Sequence, residues 1–82
     1  MDQKQIYSEL TSVFRDIFDD ENMTLTPELT ARDVDGWNSL THINLIVAAE
    51  NHFHVRFKTA EIESMQNAGH FVELIERKLS GK

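Results

Sequence analysis

The residue with the clearest chemical use is Ser39. It closes the polar run Asp35-Gly36-Trp37-Asn38-Ser39 and leads into Leu40-Thr41-His42-Ile43, where apolar helical periodicity begins. A hydroxyl at a helix start has two uses. It can cap the helix by accepting a backbone N–H. It can instead be presented at the surface as the ester oxygen of a phosphate, which free N–H groups and the positive dipole end of a helix favour. No acid–base partner for Ser39 is evident, and the chain has no convincing triad, metal set or glycine-rich phosphate loop. Autonomous catalysis is therefore not expected, and no catalytic residue is assigned. The absence of cysteine removes disulfides, thiol nucleophiles and thiolate metal sites. Of the scattered histidines His42, His52, His54 and His70, the pair His52 and His54 cannot share a helical face, so no metal site is expected.

The elements that must position Ser39 have to fit in 82 residues. A chain of that size buries only about 60–65% of its extended surface, so nearly every large apolar residue must serve one modest core. That leaves no room for a deep cleft and implies one domain over residues 1–82. The 14 acidic residues against 8 basic ones give a net charge of -6. Nucleic-acid binding, which rests first on phosphate neutralisation, is not expected; positively charged protein surfaces would be steered towards this one. With no apolar leader after Met1-Asp2-Gln3-Lys4 and no apolar run long enough to span a bilayer, a cytoplasmic chain without membrane contact is expected.

Ile6, Leu10, Val13, Phe14, Ile17 and Phe18 recur at three- and four-residue spacing and predict a helix from about residue 3 to 19, with Asp2 and Gln5 placed as in a capping box. Residues 20–38 form a connection longer than helix–helix loops usually are. Within it, Thr26-Pro27-Glu28-Leu29 reads as a cap and short helical turn. Met23, Leu25, Leu29 and Val34 can pin the loop to the core, and Asp35-Gly36 makes a tight turn. A second helix is predicted from Ser39 to about Asn51, with Leu45, Ile46, Ala49 and Phe53 as its core stripe. Leu40, Ile43 and Val47 form another stripe, free for a partner or covered by the third helix or the loop. Phe53-His54-Val55-Arg56-Phe57 alternates but has no strand to pair with, so an extended connector burying its apolar residues is expected. Thr59 can cap a short helix with Glu61 in its first turn. Asn67 can cap a last helix whose Phe71, Val72, Leu74, Ile75 and Leu79 face inward and which Gly81 stops. The prediction is all-α: a four-helix bundle with three longer helices, one short third helix and a long loop between the first two.

Over nearly its whole length this arrangement resembles the acyl carrier protein family, on the Asp-Ser-Leu type motif read here as Trp37-Asn38-Ser39-Leu40-Thr41-His42-Ile43, the long loop, the Phe53-His54-Val55 connector and the closing helix. The resemblance implies a 4'-phosphopantetheine arm on Ser39, attached by a phosphopantetheinyl transferase using coenzyme A and magnesium. It implies cargo held as a thioester and delivered to acyl- or aminoacyl-loading and processing enzymes by a chain that is monomeric by itself. It also implies docking on the second helix and the loop before it: Asp33, Asp35, Leu40, Ile43, Asn44, Val47 and Glu50, with Glu61 and Glu63 as further acceptors for basic partners. Trp37, a large amphipathic surface beside the serine, either packs the long loop or adds a partner contact. An apolar contact with an acidic rim is a common interface arrangement, and its charges act on encounter rate.

The chain departs from the family pattern at Asn38, where many members have aspartate, and at the neutral Thr41 and Asn44, often acidic in fatty-acid carriers. His42 near the attachment point is expected to face solvent, and His70 stands at an acidic position. These departures favour a specialised pathway, such as polyketide, nonribosomal peptide or modified-sugar assembly. The alternatives are a primary fatty-acid carrier, an aminoacyl or peptidyl carrier, and a carrier-like interaction module that is never modified.

Overall fold

The apolar stripe of the first segment becomes α1, Gln3–Phe18, started by Asp2, whose side chain accepts from the Gln5 N–H. It ends one residue sooner than predicted because Asp19 takes a left-handed conformation, φ 52°, and returns its N–H to Arg15. The remaining helices are α2, Ser39–Phe53, α3, Thr59–Ser64, and α4, Ala68–Ser80. The computed structural model describes residues 2–81. Among them there is no strand, and no helix is long and apolar enough to cross a membrane.

The core is apolar throughout. Ile6, Leu10 and Phe14 of α1 meet Leu45, Ile46 and Ala49 of α2 and Phe71, Val72 and Ile75 of α4; no polar side chain among the described residues is buried. At about 1.5–3 kcal/mol for each large side chain removed from water, this cluster is the main stabilising contribution. The inward stripe predicted for α2 is buried in full, and so is that of α4 apart from the half-buried Leu79.

Three local expectations need correction. α2 continues to Phe53, which follows Ala49 by four residues on the buried face; the turn-off comes at His54, φ 57°. Only the residues after it form the extended connector, although Phe53, Val55 and Phe57 are all buried as expected. Thr59 does not cap α3. It is the first helical residue, and the Glu61 carboxylate accepts from the Lys58 N–H instead. Pro27 opens no helix: Leu29 N–H returns to Thr26 carbonyl in an isolated turn.

The long loop is tied down at several points. Leu25 is buried, and Met23 and Leu29 pack on the core. Ala68 and Gly69, at the start of α4, donate to the carbonyls of Leu29 and Pro27 at 2.9 and 3.1 Å. Those bonds satisfy two N–H groups that a helix start leaves free and fix the middle of the loop on α4. The loop's last stretch is thereby delivered to the N-terminus of α2.

Candidate functional site

A tight turn sets the approach to Ser39. Trp37 N–H bonds to Val34 carbonyl, with Gly36 at φ 87° in the third position, a conformation that glycine adopts without steric cost. Thr41 then closes the turn from the helix side. Its hydroxyl donates to Gly36 carbonyl at 2.6 Å and accepts from Asn38 N–H at 2.8 Å. Asn38 completes a capping box, its Oδ1 accepting from the N–H groups of Leu40 and Thr41.

The cap of α2 is thus Asn38, and Ser39 is the first helical residue. Sequence reasoning missed both Asn38 and Thr41 as capping residues; the Asn38-x-x-Thr41 spacing was the available signal. Ser39 is exposed, and its hydroxyl has no hydrogen-bond partner among the described residues. Its use as a cap is therefore removed by the geometry. The expectation of free N–H groups around it also changes. Two of the first-turn donors are occupied by Asn38, so the dipole and Ser39's own N–H remain as the local positive features.

Trp37 packs inward on α1. Its ring meets Phe14 edge-on at 5.3 Å between centroids and lies 6.2 Å from that of Phe18. His42, expected to face solvent, is half-buried instead. Its Nδ1 accepts from the Trp37 indole N–H at 3.2 Å, and its Nε2 lies 3.5 Å from the Ile62 carbonyl of α3. Nothing in the sequence indicates this pairing, because it depends on how the loop folds back. An open groove of about 540 Å³ runs past Ser39 between the loop, α2 and α3, with Ile43, Met65, Glu63 and Gln66 along it.

The expected docking residues fall into two groups. Leu40, Ile43 and Val47 stay 72%, 50% and 49% exposed, so the second apolar stripe of α2 is covered neither by α3 nor by the loop. Asn44, Asp35 and Glu63 are also exposed. Asp33, Glu50 and Glu61 already have structural partners: Asp33 accepts from Thr30, and Glu50 from the Phe57 N–H at 2.9 Å. Glu61 accepts from the Lys58 N–H and pairs with Lys78 at 2.8 Å. That backbone bond, then Lys78, holds the Glu61 carboxyl below its ordinary range.

A helical bundle that holds an unbonded serine hydroxyl at the head of a helix, with an apolar stripe of that helix left outside the core, has the form of a carrier. Among solved structures, the chain is similar to the holo acyl carrier protein of Geobacter metallireducens, determined by solution NMR. The TM-score is 0.88 and the identity 39%, over 93% of this chain and 87% of that one. No family model matches the chain, and no curated protein matches it. The chain belongs to the acyl carrier protein family, whose members are carriers rather than enzymes.

Proposed function

We propose that this chain carries acyl intermediates on a 4'-phosphopantetheine arm joined to Ser39 and presents them to partner enzymes in the cytoplasm. The observation that carries the reading is the Ser39 hydroxyl itself, exposed and unbonded at the first position of α2 while Asn38 and Thr41 do the capping. The residues fit such an arm. The hydroxyl is accessible, and the groove beside it offers apolar surface at Ile43 and Met65 and amides at Asn38 and Gln66. When bound, the arm supplies a thiol that holds the cargo as a thioester. The chain's own contribution is to fix the attachment point, and tethering raises the cargo's effective concentration at a docked enzyme.

Partner enzymes dock on Leu40, Ile43 and Val47, flanked by Asn44, Asp35 and Glu63, with Asp33, Trp37, Glu50 and Glu61 at the margins. The neutral Asn38, Thr41 and Asn44 lower the negative charge at the head of α2 and favour a specialised pathway over primary fatty-acid synthesis. The test is intact-mass analysis after incubation with coenzyme A, magnesium and a broad-specificity phosphopantetheinyl transferase. One added arm on the parent and none on Ser39→Ala is expected. No addition to the folded parent, even with the transferase from its own source, would overturn the reading in favour of an unmodified interaction module.

A further inference from the structure

Two residues lining the groove beside Ser39, Trp37 and His42, are joined by a polar bar between the loop and α2. The Trp37 indole N–H donates to His42 Nδ1 at 3.2 Å, with the two rings inclined by only 22°. With Nδ1 accepting, the proton of the imidazole sits on Nε2, which faces the Ile62 carbonyl at 3.5 Å. One side chain of α2 thereby links the loop to α3. His42 follows Ser39 by three residues, which puts the two on neighbouring positions of one helix face.

Behind the bar the space is filled by rings. Phe14 stands edge-on to Trp37 at 5.3 Å and lies 6.2 Å from Phe71, which meets Phe57 at 5.8 Å. Phe14 and Phe71 are 0% and 1% exposed. A long alkyl chain turning inward between the loop and α2 would have to part the indole from the imidazole, leaving an N–H and a ring nitrogen unpaired in a half-buried place. It would also have to displace close-packed rings. A short group, polar or apolar, meets neither obstacle, because it fits in the open groove outside the bar, where Asn38, Glu63 and Gln66 stand beside Ile43, Ile62 and Met65.

We propose that Trp37 and His42 select the cargo. They hold whatever is carried at Ser39 outside the core, which suits short acyl and aminoacyl groups and disfavours long alkyl chains. The inference rests on the carrier reading, and two routes to a chain at position 39 separate the fates of the two. In the first, the Ser39 hydroxyl loses its proton and takes the phosphate of a butyryl- or octanoyl-phosphopantetheine arm from the corresponding acyl-coenzyme A on the transferase, and adenosine 3',5'-bisphosphate leaves as the pyrophosphate bond breaks. In the second, the Ser39→Cys variant reacts with butyl or octyl methanethiosulfonate, its thiolate displacing methanesulfinate to leave an alkyl disulfide. The chain has no other cysteine to compete.

The readout is methyl NMR of the buried Leu45, Val72 and Ile75, together with hydroxylamine cleavage of the thioester. With Trp37 and His42 intact, octanoyl and octyl should leave those methyl resonances where butyryl and butyl leave them, and both thioesters should cleave at the same rate. With His42→Ala added, the octyl chain should shift the buried methyls and the octanoyl thioester should cleave about tenfold more slowly, equivalent to about 1.4 kcal/mol of protection. Trp37→Phe, which keeps an aromatic ring but removes the donor and part of the ring volume packed on Phe14 and Phe18, should move both readouts in the same direction. If octanoyl reaches the buried methyls with both residues intact, or if neither variant changes anything, the proposal is overturned while the arm assignment stands. If the arm never attaches but the disulfide route gives the expected contrast, the carrier reading falls and the barrier stands.

Discussion

Replacing Asn38 tests whether the head of α2 is held by directional bonding. In Asn38→Ala the acceptor of the Leu40 and Thr41 N–H groups is lost, at 3.0 and 3.1 Å, while the Thr41 hydroxyl keeps its bond from the backbone N–H of residue 38. Loss of such a cap costs about 1 kcal/mol, within a range of about 0.5–2. In a chain of this length each kcal/mol lowers Tm by about 4–8 °C, so a fall of that size is expected. Asn38→Asp keeps the acceptor and adds a negative charge at the positive end of the helix, a gain of about 0.3–1 kcal/mol at low salt. Nearby Asp35 and the overall charge of -6 work against that gain, which places it towards the lower end. Salt separates the two effects. At about 1 M, where screening acts over roughly 3 Å, the Asp advantage should shrink and the Ala deficit should persist. Thermal unfolding by circular dichroism at low and high salt is the assay, with transferase loading of Ser39 as the functional readout; loading of the Ala variant should slow as its first turn frays. An Ala variant that melts with the parent, or a deficit that salt erases, would refute the reasoning.

Two further outcomes follow from the loop and from α3. A Cβ on Gly69 would stand 3.0 Å from the Pro27 carbonyl oxygen and 3.1 Å from its Cα and Cβ, mostly backbone that cannot rotate away. Gly69→Ala should therefore cost about 1–3 kcal/mol in overpacking, more than the up to ~1 kcal/mol of helix propensity it gains. Hydrogen exchange should quicken at Ala68 and Gly69, and a variant as stable as the parent would sink the argument. The Glu61 carboxyl is lowered from an ordinary value of 4.5 by the Lys58 N–H and then by Lys78. A depressed folded-state value means that its contribution is present above the ordinary value and lost as pH falls through the lowered one. The Tm gap between the parent and Glu61→Gln should be open at neutral pH and close under acid; a gap independent of pH would remove the charge from the account.

The parts of the fold legible in the sequence are those fixed by periodicity. Ile6, Leu10, Val13 and Phe14 on α1, and Phe71, Val72, Leu74 and Ile75 on α4, repeat at helical spacing, and burial follows spacing there. Boundaries were less legible because neighbouring residues shared the same aptitude. Asn and Ser cap helices about equally well, so Asn38-Ser39 hid which residue does the capping, although the predicted start at Ser39 is the observed one. The Phe53-His54-Val55 alternation likewise concealed a helix end. The Trp37–His42 bond was not legible at all. It joins two residues five apart through a turn whose shape depends on Gly36 and on the Thr41 hydroxyl.

The distribution of bonding explains why one end of the molecule can be specific while the rest is generic. Among the described residues the core contains no buried polar side chain, so its stability rests on apolar volume and contact. Such packing tolerates volume-conserving exchange. Around Ser39 the situation is reversed: Asn38, Thr41, Trp37 and His42 are joined by hydrogen bonds to the loop, to the first turn of α2 and to α3. Hydrogen bonds are directional, and each orphaned partner carries a penalty. Substitutions in the core should change how much of the chain is folded without changing how Ser39 is presented. Substitutions among those four residues should change presentation at a modest cost in stability. The outward stripe of Leu40, Ile43 and Val47 starts directly beside Ser39, so α2 stabilises the bundle through one face and leaves another available to partners.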